Sequence, residues 1–249
     1  MNVLDLFSGI GNFSLGLERA GFRTVAFCEA DPYCRKILEK HWPNVPCYDD
    51  VRTLTAARLA ADGISVDAVC GGFPCQDISL AGKGAGIDGE RSGLWTDYAR
   101  IVGELNERRK IKFVFVENVA ALLGRGLDRV LRDLAAIGFD AEWHCIPAAA
   151  LGAPHFRDRL WIVAYPHTDS LRSQGVWSFA PGAWREQQFE GLLQDSIRVS
   201  VPTGKSGGVV DGAPSRSHRL KALGNSIVPQ IPELIGRAVM THTIGKGKV

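Results

Sequence analysis

Apolar positions along this chain alternate between two rhythms. Residues 2–7 (NVLDLF) form a short apolar run closed by Ser8-Gly9, the signature of a buried strand. Phe13, Leu17 and Ala20 then recur at helical spacing between Gly11 and Ala20. A second strand is predicted over 24–29 (TVAFCE), followed by a helix with Asp31 as cap and Pro32 at its first position, reaching about Lys40. Residues 54–62 suit a short helix, 66–70 (VDAVC) a strand, and 94 to about 107 a helix. The most strongly apolar strand is 112–118 (KFVFVEN). A helix over 126–137 and strands over 140–146 and 159–165 complete the series. Strands alternating with helices predict an α/β fold with a parallel-rich sheet covered by helices on both faces. Such sheets bind ligands beyond the carboxyl ends of their strands. The unusual clusters of this chain, Phe7 to Gly11, Glu29, Asp50, Cys75 and Glu117, all fall at such ends.

The rhythm breaks after Tyr165. Residues 166–218 are rich in Ser, Gly, Arg and Trp without periodicity, which reads as a small irregular subdomain or long loops. Regularity returns over 220–240, where a helix is expected to begin near Pro229. The predicted organisation is one domain from 1–165 and 219–249, interrupted by 166–218.

Composition narrows this picture slightly. With 249 residues, 45% hydrophobic and 22% charged, a sizeable core is expected and global disorder is not. No apolar run approaches the roughly 20 residues a membrane helix needs. MNVLDLFSG lacks the basic region of a signal peptide, so a soluble, cytoplasmic protein is expected. The six cysteines (Cys28, Cys34, Cys47, Cys70, Cys75, Cys145) form no CxxC pair and no zinc-ligand spacing with histidine, so no metal site is predicted. Cys28, Cys70 and Cys145 sit inside strand-like runs and read as small buried hydrophobes. Up to residue 156 there are 17 basic against 20 acidic residues; from 157 onward there are 12 against 7. An acidic front and a basic back suit a polyanion on the C-terminal side, although such a surplus also suits a solvated surface.

Four stretches carry candidate chemistry. In GGFPCQDIS (71–79), a strand empties into two glycines and a stiffening proline, presenting Cys75 either as a packed small residue or as a held nucleophile. DLFSGIGNF (5–13) joins a strand, a glycine turn and a helix start, with Glu29 at the next strand end. It reads as a nucleoside site or as a tight turn with a cap. Ser14 stands where a dinucleotide fingerprint wants a third glycine or alanine, which argues against a nicotinamide oxidoreductase. Glu117 is either a desolvated proton donor or a helix-capping acid. Arg157 and Arg159, two apart on an extended segment, either reach one anionic or carbonyl-rich ligand or line a solvated edge.

Taken in order, DLFSGIGNFSLGLERAGF, Glu29, Asp50-Val51, GGFPCQDIS, Glu117-Asn118-Val119, GAPHFRDR and GNSIVPQI resemble the motif series of the cytosine-5 DNA methyltransferases. The resemblance implies a Rossmann-like, S-adenosylmethionine-dependent enzyme of small bacterial or phage type, releasing S-adenosylhomocysteine. It implies Cys75 as the nucleophile at cytosine carbon-6, Glu117 at N3, Arg159 at the base carbonyl, and Arg157 supporting the site or a phosphate. Carried over for the cofactor are Phe7, Gly9, Gly11, Glu29, Asp50, Val51, Pro74, Leu94 and Asn225. Implied DNA contacts are Gln76 and Ser79, with Lys83 and Arg91 on a glycine-rich lid, and Arg172, Arg185 and Arg198 beside Trp177 and Trp184 in a short target-recognition region. Three departures stand out: His155 where the family often has Gln, no Thr-Pro-Arg-Glu segment, and a recognition region short for the family. The implied partner is double-stranded DNA, with a restriction endonuclease as functional counterpart, and no membrane. The chain is expected to be monomeric. An RNA cytosine methyltransferase or a silent DNA-binding relative would share the build; the full Cys75, Glu117, Arg157 and Arg159 set argues against the silent form.

Overall fold

A computed structural model describes residues 1–74, 93–153, 157–167 and 226–244. Cys75, Gln76, Ser79, Lys83, Arg91, His155, Arg172, Trp177, Trp184, Arg185, Arg198 and Asn225 lie outside the described residues, as does nearly all of the expected recognition region. The strands are β1 (Asn2–Leu6), β2 (Arg23–Cys28), β3 (Cys47–Tyr48), β4 (Ala68–Gly72), β5 (Phe113–Val119), β6 (Phe139–Pro147) and β7 (Asp158–Pro166). They form one sheet in the order β3-β2-β1-β4-β5-β7-β6. Pairing is parallel from β3 through β5, whereas β7 runs antiparallel between β5 and β6. The parallel-rich expectation therefore holds for five strands, and the last pairings reverse. β3 has two residues, too few for any periodicity to announce it.

Helices α1 (Asn12–Arg19), α2 (Pro32–His41), α3 (Ala56–Ala61), α4 (Leu94–Arg108), α5 (Leu127–Ile137) and α6 (Gln230–Ile244) join these strands. Asp31 caps α2 as expected, its carboxylate accepting from Tyr33 N at 2.8 Å, and Pro32 opens the helix. One sheet face packs Leu4, Leu6, Val69, Val114 and Val116 against α3, α4 and α5. The other packs Val3, Cys70, Phe113 and Phe115 against α1 and α6. The two faces follow from strand parity, since successive side chains alternate across the sheet.

The C-terminal segment closes back onto α1. A Cβ on Gly16 would meet Pro232 Cγ at 2.6 Å and collide with the Pro229 carbonyl, and one on Gly236 would lie 2.7 Å from Ala20 Cβ. The two helices therefore meet through glycines because any side chain would separate them. Asn12 Nδ2 donates to Ile227 O at 3.0 Å, fixing the chain one residue beyond Ser226. Among the described residues, no helix is long and apolar enough to cross a membrane.

One polar group is sealed inside this packing. Asp5 on β1 is 1% exposed, and its Oδ2 accepts from Ser14 Oγ at 2.7 Å while Oδ1 has no partner. Burial pushes its carboxyl up to about 7, against the Ser14 bond that pulls it down. Ser14, expected only to break a glycine fingerprint, is thus the hydroxyl that donates to this acid. Between pH 3.8 and about 7, the folded protein keeps a proton that the unfolded chain has released. Stability from this group therefore falls as pH rises through that window and levels off above it. Asp5→Asn should remove this group's share of the slope. Urea unfolding of both proteins at about pH 5 and pH 7 reads the difference, and equal slopes would refute the assignment.

Candidate active site

The carboxyl ends of β1, β4 and β5 lie side by side, and each delivers one part of the site. β1 stops at Leu6 because Phe7 adopts a φ of 54° and Gly9 and Gly11 follow at 55° and 85°. Ser8 Oγ donates back to Asp5 O at 2.7 Å and Gly11 N to Ser8 O at 2.9 Å, closing the turn. Glu29, just past β2, receives Gly9 N on one carboxylate oxygen at 2.7 Å and Asp31 N on the other at 2.8 Å. A Cβ on Gly9 would meet nothing within 4 Å, so the turn faces open space. Gly11 behaves differently. A Cβ there would lie 2.5 Å from the Trp42 ring, whose indole donates to Glu18 at 3.0 Å. Of the two glycines expected to admit a ligand, Gly9 fronts space and Gly11 is filled from behind by Trp42.

The Asp50 carboxylate is held by the Arg52 guanidinium, with Nε and Nη2 each at 2.9 Å, and this pairing keeps it below the usual carboxylate range. Val51 is buried behind it. Leu94, half-buried, opens α4 and packs on the core. Pro74 is the last described residue before Cys75, and two groups hold the chain there. Asn118 Nδ2 donates to Phe73 O at 3.0 Å, and Trp95 packs on the Phe73 ring at 5.3 Å. Neither was a predicted site residue. Asn118 was legible only as part of Glu-Asn-Val, and Trp95 only as one position of a predicted helix.

Glu117 lies two residues inside the end of β5, opposite Gly72 and Trp161. Its Oε1 accepts from Arg159 Nε at 3.0 Å. Burial raises the Glu117 pKa, and the charges of Arg159 and Arg157 oppose that rise without cancelling it. The two arginines do act on one group, but not from an extended segment: Arg157 has a φ of 25°, and β7 begins only at Asp158. Gly72 corrects a second expectation. It sits in β4 without a positive φ; it is glycine because a Cβ would lie 2.6 Å from Glu117 Oε2. Gly71 likewise has no room beside the Leu6 carbonyl.

The three thiols expected inside strands are poorly suited to nucleophilic work. Burial pushes Cys28 up to about 12 and raises Cys70 and Cys145 as well. All three lie in strands, as expected.

Gly72→Ala should displace the Glu117 carboxylate from Arg159. We expect a stability loss of about 1–3 kcal/mol from overpacking. Any turnover that draws on this carboxylate should fall by about 100-fold, a barrier increase of about 2.7 kcal/mol. Denaturant unfolding beside steady-state kinetics measures both, and unchanged turnover would show that the carboxylate has room to spare.

Residues 1–197 match the model of the C-5 cytosine-specific DNA methylase family. The type II methyltransferase M2.BsuMI of Bacillus subtilis is 34% identical over 66% of this chain and 42% of its own. M.NgoBV of Neisseria gonorrhoeae is 30% identical over the whole chain and 55% of its own. The chain thus spans about half the length of these relatives or less. Among solved structures, a DNA modification methyltransferase from an Escherichia coli prophage superposes with TM-score 0.56 at 25% identity, over 67% of this chain and 47% of that one. The Dnmt2 methyltransferase of S. pombe gives 0.58 at 20% over 78% and 58%, a likeness of fold. The chain belongs to the C-5 cytosine-specific DNA methylase family.

Proposed function

We propose that this chain methylates carbon-5 of cytosine in double-stranded DNA, using S-adenosylmethionine and a covalent bond from Cys75. The observation that carries the reading is the buried Glu117–Arg159 pair, set beside the strand exit that leads to Cys75.

The glycine turn fits a nucleoside cofactor. Each Glu29 oxygen takes one backbone N–H and retains a lone pair for a ribose hydroxyl, and Gly9 fronts open space. Phe7, Val51, Pro74 and Leu94 would provide apolar walls, with Asp50 on the adenine side and Asn225 completing the pocket. When bound, S-adenosylmethionine supplies an electrophilic methyl group.

The chain's own residues address the other difficulty, that cytosine carbon-5 is a weak nucleophile. The target base must first leave the helix, at a cost of a few kcal/mol. Addition of the Cys75 thiolate at carbon-6 then makes carbon-5 nucleophilic. Glu117, whose raised pKa keeps its proton to higher pH than an ordinary glutamate, donates to N3. Arg159 binds the base carbonyl, with Arg157 beside it. After carbon-5 has taken the methyl, its proton leaves to a base, the thiolate is expelled and the N3 proton returns to Glu117. Contacts with DNA fall to Gln76, Ser79, Lys83 and Arg91 around the thiol, and to Arg172, Arg185 and Arg198. The type II names of the relatives support a restriction-modification setting with a cognate endonuclease.

Labelled methyl transfer to duplex DNA, with matched RNA as comparison, tests this reading. Label should appear on DNA cytosine and vanish with Cys75→Ser while calorimetric binding of S-adenosylhomocysteine persists. Label on RNA alone, or label that survives the substitution, would overturn it. Glu117→Gln should cut turnover by about 100-fold or more without loss of fold, and near-normal turnover would remove its role.

A further inference from the structure

Helix α4 grips the turn that carries Asp50 and Val51. Arg100 Nη2 donates to Val51 O at 2.9 Å and to Arg52 O at 3.4 Å, and Nη1 donates to Leu54 O at 3.0 Å. The same guanidinium is held by Glu104 Oε1 at 2.7 Å and Asp97 Oδ1 at 3.3 Å, one turn away on either side. Glu104 extends the grip: its Oε2 accepts Ala56 N at 2.9 Å, at the start of α3. Both ends of the 51–56 segment are therefore tied to one helix.

An exposed Arg–carboxylate pair along a helix contributes only about 0.3–0.5 kcal/mol. Here the two carboxylates do something else: they fix the guanidinium so that its other protons face three backbone carbonyls. The peptide geometry then carries the effect forward. In a trans peptide, C=O and N–H point in opposite directions. With the Val51 carbonyl turned toward Arg100, the Arg52 N–H points the other way, where it meets Asp50 Oδ1 at 2.9 Å. Thr53 N and Leu54 N close the turn on Asp50 O at 3.3 and 3.1 Å. Arg100 thus determines where the Asp50 carboxylate points without approaching it.

We propose that Arg100 is a positioning residue that sets the affinity for the adenosine part of the cofactor by holding the 50–54 turn from behind. The proposal rests on the reading that this turn lies against adenine. Lysine cannot replace the function fully, because a single ammonium cannot fork toward several carbonyls and two carboxylates at once.

The test is calorimetric binding of S-adenosylhomocysteine to the full chain, with amide hydrogen exchange at Thr53 and Leu54 recorded on the same variants. Arg100→Met should weaken binding about tenfold, the scale of one charge-assisted hydrogen bond, and speed exchange at both amides. Arg100→Lys should recover part of each effect, and it decides the matter if the methionine variant does not fold. At saturating cofactor, turnover should stay within about twofold, so the loss appears in KM. Faster exchange with unchanged binding would overturn the proposal, as would an equal fall in turnover and affinity. Asp50→Ala separates the two readings. Normal binding by that variant would remove the adenine assignment itself, whereas weak binding there with normal binding by Arg100→Met would remove only the role of Arg100.

Discussion

The site depends on a carboxylate lying where a neighbouring strand has no side chain. Glu117 stands opposite Gly72 in register, and its Oε2 fills the place a Cβ would take. A side chain at the end of β4 would therefore push the Glu117 carboxylate out of that place. The same carboxylate needs a cation within reach once it is buried, since removing a charge from water without a partner is costly. The direction of β7 provides it. Running antiparallel to β5, it enters the sheet at the end where β5 leaves, so its first residues arrive beside Glu117. A parallel strand would have delivered Tyr165 and Pro166 to that edge and left Arg159 at the far one.

A single helix supports three sides of the candidate site. Trp95 packs between Phe73 and Tyr98, at 5.3 Å from each ring, and its indole is anchored on Asp133 at 2.8 Å. Tyr98 stacks beneath Phe7 at 6.5 Å and donates to Phe115 O at 2.9 Å. Such aromatic pairs are worth about 0.5–1.5 kcal/mol beyond their buried area. Arg100 adds the third side. The exit toward Cys75, the glycine turn and the Asp50 turn consequently share one rigid reference. Reacting groups on separate strands keep their mutual geometry only if such a reference exists.

The element order was legible because each strand and helix buries a face of its own: α4 and β5 fall within about two residues of the pattern that predicted them. What periodicity could not show is pairing direction, since β7 has the same apolar run whether it lies parallel or antiparallel. β3 escaped because two residues carry no period. At the site, residue types were legible and reasons were not. Gly72 and Gly11 read as flexible or ligand-facing, yet each is required by a side chain distant in sequence, Glu117 and Trp42. Asn118 and Arg100 escaped because their work is done on backbone carbonyls 45 and 49 residues away. A motif records which residue is present; it does not record what that residue touches.

Two buried acids on the same sheet face show how position, more than burial, divides structural from chemical roles. Asp5 and Glu117 are both desolvated, and burial raises the pKa of each. Asp5 lies under α1, meets the neutral Ser14 hydroxyl and is 1% exposed. No substrate can reach it, so its proton affects only stability. Glu117 lies nearer the open end of its strand, meets Arg159 and retains 9% exposure. Burial raises its pKa and the Arg159 charge opposes that rise, and under the proposed function this is the group that hands a proton over and recovers it. The perturbation has the same sign in both acids. Of these two acids, Glu117 alone lies beside the strand exit that leads to a thiol, which is where the proposed function needs a proton donor.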